Sequence, residues 1–260
     1  MLLVQAMTAA VPHEFQNVAE RLVSELPQIL GPNLVGIYVY GSALDASFVP
    51  GRSDLDCLAV TEDSINEEEF ADLADRLTIE QSATPNFDRT QISFLVRDRV
   101  FDDDPSACLY QFGRLTRGGS DGNPIVWLDF LQRGLLLYGP HPRSFLPDIS
   151  RKILHEALAR ELGYLREEIV ENSESEWRDR NSYRAYAVLT LCRIMYSAAT
   201  GEVGSKTRAA EWVMAELMDE PVFRDLIGIA ERVSQERSTT SVPLRPIGRF
   251  IDYVSQRSGL

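Results

Sequence analysis

Two aspartates one residue apart, Asp54 and Asp56, follow a glycine-serine pair, Gly41-Ser42, after an interval of eleven residues. On a strand, alternate side chains share a face, so both carboxylates point the same way, roughly 7 Å apart, while Leu55 turns into the core. Paired oxygen ligands of this kind suit Mg²⁺, which is held through one or two carboxylates together with substrate phosphates. The run Leu34 to Tyr40 is apolar and β-branched enough to be a buried strand, and Gly41-Ser42 ends it where the backbone must turn. Glycine has no Cβ to hold a phosphate away. The N–H groups of a following turn and the Ser42 hydroxyl offer donors to its oxygens. Ser53, where the second strand starts, joins Gly41 and Ser42 as a nucleotide-binding candidate. The chemistry implied is metal-assisted handling of a triphosphate.

The elements that must position these residues follow from hydrophobic spacing. Residues 12 to 29 read as a first helix, closed by Gly31-Pro32, and strands follow over 34–40 and 53–60. Ile65 to Leu77 makes an amphipathic helix whose Glu67-Glu68-Glu69 run suits a helix start. A third strand runs from Gln91 to Val96. Asp102 to Asp104 read as a solvated acidic loop, followed by helix candidates over 106–116 and 124–133. Leu135 to Tyr138 is a short strand or a helix end. Beyond Pro147 the pattern is helical only: 153–169, 183–199, a helix capped by Ser205 that includes Ala209, Trp212, Val213 and Leu217, and two weaker stretches over 222–233 and 247–254. The expected fold class is α+β, with a mixed sheet and helices in a domain 1–147 and an all-α bundle in a domain 148–260.

The charge balance bears on partners. With 26 Lys and Arg against 39 Asp and Glu, the net charge is −13, which argues against a nucleic-acid partner because a phosphate backbone is bound by clustered cations. It is compatible with a cationic small-molecule acceptor drawn in by the field. Cys57, Cys108 and Cys192 lack metal-binding spacing and read as reduced core residues; His13, His141 and His155 are too scattered for a zinc site. With neither a long apolar span nor a secretory signal, a cytoplasmic location, no membrane association and a monomer are expected.

The Gly41-Ser42 and Asp54-Leu55-Asp56 pair resembles the signature of the DNA polymerase β-like nucleotidyltransferases. The helical half sharpens this. Val188 to Ile194, Tyr196-Ser197-Ala198, Thr200 to Val203, Ser205-Lys206 and Ala209 to Trp212 resemble the second domain of the aminoglycoside (3'')(9) adenylyltransferases, the streptomycin and spectinomycin resistance enzymes, and Gln111-Phe112-Gly113 matches their middle region. The resemblance implies a nucleotidyltransferase domain plus a helical bundle, with ATP as co-substrate, two Mg²⁺ ions, and transfer of AMP to an acceptor hydroxyl. It places Gly41 and Ser42 on the phosphates, Asp54 and Asp56 on Mg²⁺, and Lys206 on the nucleotide phosphates.

Three positions depart from the family pattern. Gln91 stands where the resemblance expects a catalytic Glu, and a neutral amide cannot take the acceptor's proton. Asp88 is the nearest carboxylate, but three residues away it falls on the opposite face of a regular strand. Leu115 stands where the family tends to carry a Trp that packs against the drug. Tyr183 replaces an acidic residue that meets cationic acceptor groups, with Asp179 one turn earlier as its substitute. Two alternatives therefore remain: transfer to another small molecule or a protein side chain, and a nucleotide-binding regulatory or antitoxin-like module that does not turn over.

Overall fold

Tyr40 is the last residue of a strand that carries large side chains on both faces, and that double burial sets the layering. The computed structural model describes residues 10–45, 47–102, 104–119, 122–216, 220–236 and 239–260. The chain divides into two compact units, the first ending at Asp148 and the second beginning at Ile149.

In the first unit, strands β1 (Leu34–Tyr40), β2 (Leu55–Thr61), β3 (Thr90–Val96), β4 (Cys108–Gln111), β5 (Arg114–Arg117) and β6 (Leu135–Tyr138) form one sheet in the order β5-β4-β3-β2-β1-β6. Only β2 and β3 run parallel; every other pairing is antiparallel. A parallel pair needs a crossover, and helix α2 (Glu67–Ala83) supplies it. Its start is fixed by a capping box: Asn66 Oδ1 accepts from the Glu68 and Glu69 N–H groups, and the Glu69 carboxylate accepts from Asn66 N–H. Helix α1 (Gln16–Leu30) and α2 cover one face, where Phe15, Leu22, Leu26, Leu73 and Leu77 pack against Ile37, Val39, Cys57, Ile92 and Phe94. Helix α3 (Pro124–Arg133), capped by Asn123, lies against β1 on the other face, with Trp127 and Phe130 edge-on to Tyr38 at 5.7 and 5.3 Å.

Two expectations are corrected here. The helix expected over 106–116 is the β4–β5 hairpin. Its two-residue turn, Phe112-Gly113, has φ of 52° and 75°, the double-positive geometry that matches the twist of a tight hairpin. Phe-Gly lacks the Asn-Gly signal that marks such turns, and the pairing of β4 with β3 overrides any local helical preference. The acidic loop is not uniformly solvated: Asp104 is buried, 3.0 Å from Arg99, and accepts from the Ser106 N–H. Asp103 lies outside the described residues.

The second unit is built on α5 (Asn181–Thr200), which is buried from Ala185 to Ser197 on nearly every side. It packs against α4 (Arg151–Arg166), α6 (Lys206–Glu216), α7 (Pro221–Glu236) and α8 (Leu244–Ser258). The Ser205 hydroxyl caps α6 by accepting from Arg208 N–H at 3.1 Å; Leu217, expected in that helix, lies outside the described residues. Among the described residues, no helix is long and apolar enough to cross a membrane. All three cysteines are buried and free of disulfides.

Candidate functional site

Strand register assembles the first part of the site. Tyr40 pairs with Asp56, Asp56 with Gln91, and Gln111 with Arg114, so one row crosses the sheet at the end where β1 stops and β2 and β3 begin. Paired residues share a face, which puts the Asp56 and Gln91 side chains side by side. Gln111 Nε2 donates to Gln91 Oε1 at 2.6 Å and extends the row onto β4. Asp54 is exposed and precedes the first residue of β2, so it belongs to the loop that leads into the strand rather than to the strand itself.

Gly41 opens a tight helical turn, Gly41–Leu44, directly after β1. Its φ is +79°, and a Cβ at this position would lie 2.6 Å from Asp56 Oδ2. Both facts demand glycine: the backbone is in the left-handed region, and the Asp56 carboxylate occupies the space a side chain would need. Ser42 follows in the turn, where its carbonyl accepts from Asp45 N–H. The Ser53 hydroxyl oxygen accepts from Val49 N–H at 2.9 Å and closes the loop that delivers Asp54. Arg89 anchors this loop from below β3: Nη1 donates to the Ser53 carbonyl at 2.8 Å and Nη2 to Glu14 at 2.6 Å.

Sequence reasoning gave Gln111 no role beside Gln91, and missed Arg89 and two residues of α3. Asp129, 2% exposed, accepts from the Gly41 N–H at 3.1 Å and is ion-paired with Arg133. The signal available in advance was weak: an Asp and an Arg four apart on a helix normally face water. Their burial is visible only once α3 packs on the sheet.

Leu115 is not brought to the row. It lies on β5, pairs with Tyr110 of β4 and packs into the core shared with α1 and α2, one residue out of phase with Gln111 and Arg114. Asp88 stands on a single helical turn before β3, exposed, and its charge together with burial pushes the Tyr110 hydroxyl up to about 12, burial being the larger cause. Tyr110 lies in that same core, so Asp88 belongs to the side of the sheet away from Asp56.

In the second unit, Tyr183 lies in the first turn of α5 within a file of rings: Trp177 to Tyr183 at 5.6 Å and Tyr183 to Tyr186 at 5.5 Å. Cations close both ends, Arg180 over Trp177 at 4.4 Å and Lys206 Nζ over Tyr186 at 5.4 Å. Burial, with a lesser contribution from neighbouring Tyr164, pushes the Tyr183 hydroxyl far above its ordinary value. Asp179 is not one turn earlier on the same helix. It ends a separate short helix, Glu176–Asp179, the chain is extended at Arg180, and the Asp179 carboxylate reaches Arg184 at 3.2 Å. The break arises because α5 starts only at Asn181, whose side chain bridges to the Thr240 carbonyl and the Val242 N–H.

Among the described residues, no group of three or more His, Cys, Asp or Glu could form a metal cage. The donor set at the sheet end instead fits an ion shared with a ligand: the Asp56 carboxylate lodged against the Gly41 turn, with Asp54 two residues before it in the loop.

Residues 144–257 match the family described as "Aminoglycoside adenylyltransferase, C-terminal domain". An aminoglycoside (3'') (9) adenylyltransferase of Shigella flexneri is 28% identical over 229 residues, covering 81% of this chain and 82% of the relative. The chain is similar to the aminoglycoside adenylyltransferases. A spectinomycin 9-adenylyltransferase of Staphylococcus aureus (strain Mu50) is 24% identical over 241 residues, 87% of each chain. The fold is also that of the spectinomycin adenyltransferase AAD(9) from Enterococcus faecialis, solved with ATP and spectinomycin: the TM-score is 0.69 at 19% identity, over 94% of this chain and 99% of that one. The α+β class expected of this family, a mixed sheet followed by helices, is the fold observed.

Proposed function

We propose that this chain is an ATP- and Mg²⁺-dependent nucleotidyltransferase that moves AMP to a hydroxyl of an aminoglycoside or aminocyclitol acceptor of the streptomycin or spectinomycin type. The observation that carries this reading is the Gly41 turn set against Asp56, with Asp56 in register beside Gln91. The names of the relatives supply the donor and the acceptor class.

In this reading the turn after Gly41, with the Ser42 hydroxyl, holds the triphosphate, and Ser53 shapes the loop that presents Asp54. Asp54 and Asp56 would hold Mg²⁺, which would supply neutralisation of the triphosphate charge. Lys206 is assigned to the nucleotide phosphates on the strength of the family resemblance. Tyr183 and its ring file, with Asp179 nearby, form the acceptor surface. The acceptor oxygen bonds to the α-phosphorus while the bond from that phosphorus to the bridging oxygen breaks, so the hydroxyl must give up its proton. Gln91 cannot receive it, and Gln91 Oε1 already accepts from Gln111.

Gln91 favours a second reading, a module that binds nucleotide without turnover. The two are separated by AMP transfer from labelled ATP with Mg²⁺ to streptomycin and spectinomycin, comparing the chain with Gln91→Glu. The Gln111 amide can donate to a carboxylate as readily as to an amide oxygen, so the substitution keeps that contact. We expect the Glu variant to transfer AMP about 10²–10⁴ times faster. If neither form transfers AMP to either drug while both bind ATP, the drug assignment fails and the binding module or another acceptor takes its place.

A further inference from the structure

The Gly41–Leu44 turn is held at both ends by one guanidinium-carboxylate pair on α3. At its start, Gly41 N–H donates to Asp129 Oδ2 at 3.1 Å. At its end, Asp45 Oδ2 lies 3.7 Å from Arg133 Nη2, and the same Arg133 is paired with Asp129 Oδ1. Asp45 in turn accepts from the Ser47 N–H at 2.6 Å and from its hydroxyl. Both carboxylates are largely withdrawn from water, and the Asp129 side chain is 2% exposed.

Burying such a pair is costly, and an apolar residue at 129 beside Phe130 would serve packing at least as well. The arrangement is intelligible if the turn must be preset. A planar guanidinium can face two carboxylates in fixed geometry, which an ammonium cannot match. It also cancels the Asp129 charge that would otherwise face an approaching triphosphate.

We propose that Asp129 and Arg133 form a staple that presets the phosphate-binding turn, as positioning residues that act through Gly41 and Asp45 without touching the nucleotide. This rests on the reading of Gly41–Leu44 as the triphosphate turn. Because Gly41 N–H is committed to Asp129, the backbone donors for phosphate come from the residues that follow it. Because Arg133 balances Asp129, removing Arg133 harms nucleotide binding more than removing the Asp129 charge does.

The test uses the full chain as wild type, Asp129→Asn, Arg133→Ala, Arg133→Lys and the Asp129→Asn/Arg133→Ala double variant. Mg-ATP binding, melting temperature and amide exchange across residues 41–45 are measured, and KM for ATP and for the acceptor is read with each substitution placed in the Gln91→Glu background. Arg133→Ala is expected to weaken ATP binding about tenfold or more, since a bare buried charge repels phosphate, with KM for the acceptor unchanged. The double variant should recover severalfold relative to Arg133→Ala, because its remaining Asn is neutral and still accepts from Gly41; simple packing damage would add instead. Arg133→Lys should fall between, and gives the answer if the Ala variant does not fold. Additive losses, or KM values for both substrates rising together with a fall in melting temperature, overturn the proposal. If the wild type binds no ATP, the triphosphate reading itself has failed; unchanged amide exchange at residues 41–45 in Arg133→Ala and Arg133→Lys separately overturns the staple.

Discussion

The sheet end of the first unit and the ring file of the second differ in how far they depart from the pattern of the family. At the sheet end, Gly41-Ser42, Asp54 and Asp56 are all present, and one position, Gln91, is changed by a single functional group. In the ring file, an acidic position is an aromatic one, and the nearby acid, Asp179, is engaged by Arg184. Chemistry at a triphosphate tolerates little change, because the charge to be neutralised is the same whatever the acceptor. An acceptor surface is free to follow its ligand. In the proposed reading, donor chemistry is readable from residue types, whereas acceptor choice is assigned to the ring file, whose composition departs from the pattern of the resistance enzymes.

The sharpest way to break that contrast is Asp56→Ala. If the sheet end handles the nucleotide, AMP transfer to every acceptor, followed in the Gln91→Glu background, falls by about 10³ or more, since a metal contributes several kcal/mol of charge stabilisation. The carboxylate is half-buried at the edge of β2 and lodged against Gly41, so alanine leaves the strand pairing intact. Transfer from labelled ATP is the measurement, and turnover within a few-fold of wild type ends the assignment of Asp56 to the metal.

A smaller effect probes the other region. Tyr183→Asp, made together with Gln91→Glu so that turnover can be followed, restores an acid where the family carries one. It should raise kcat/KM for streptomycin, with its guanidinium groups, by about tenfold relative to spectinomycin, in line with a charged hydrogen bond of about 1.5–3 kcal/mol. KM for ATP should not move. Identical ratios for the two drugs before and after would mean that the ring file is no acceptor surface, and the contrast between the two regions would lose its functional meaning.

The sequence carried much of this, unevenly. Strand and helix positions around Gly41 and Asp56 were readable because apolar runs are punctuated by Gly-Ser and Pro-Gly. The β4–β5 hairpin was not, because Phe112-Gly113 adopts a turn conformation that its residue types do not announce and the strands are only four residues long. The face that Leu115 occupies was unreadable for the same reason: it depends on the hairpin register. The Asp129–Arg133 pair escaped notice because a helical i,i+4 ion pair looks the same in sequence whether it faces water or a sheet. Gln91 was identified by alignment of one strand, yet its bond to Gln111 depends on β4 lying beside β3.

The last expected effect is on stability alone and separates structural from chemical carboxylates within the first unit. Glu80, buried near the end of α2, accepts from Arg21 Nε at 2.9 Å and from Thr84 Oγ1 at 2.7 Å. The Arg21 hydrogen bond, with lesser help from Thr84 and the charges of Arg21 and Arg76, outweighs desolvation and holds the Glu80 carboxyl below its ordinary range. A depressed folded value means that the folded chain binds this proton more weakly than the unfolded one. The stabilisation is therefore complete above the unfolded value, about 4.3, and is lost as pH falls through the folded value. Glu80→Gln should cost about 1–3 kcal/mol at pH 7, with the gap to wild type closing as pH drops below about 4.3, while AMP transfer at pH 7 stays unchanged. Urea unfolding across pH 3 to 7 measures the gap. A gap that stays constant over that range would show that Glu80 contributes through packing and not through its charge, and a loss of turnover would extend the chemical region of the first unit to the junction of α1 and α2.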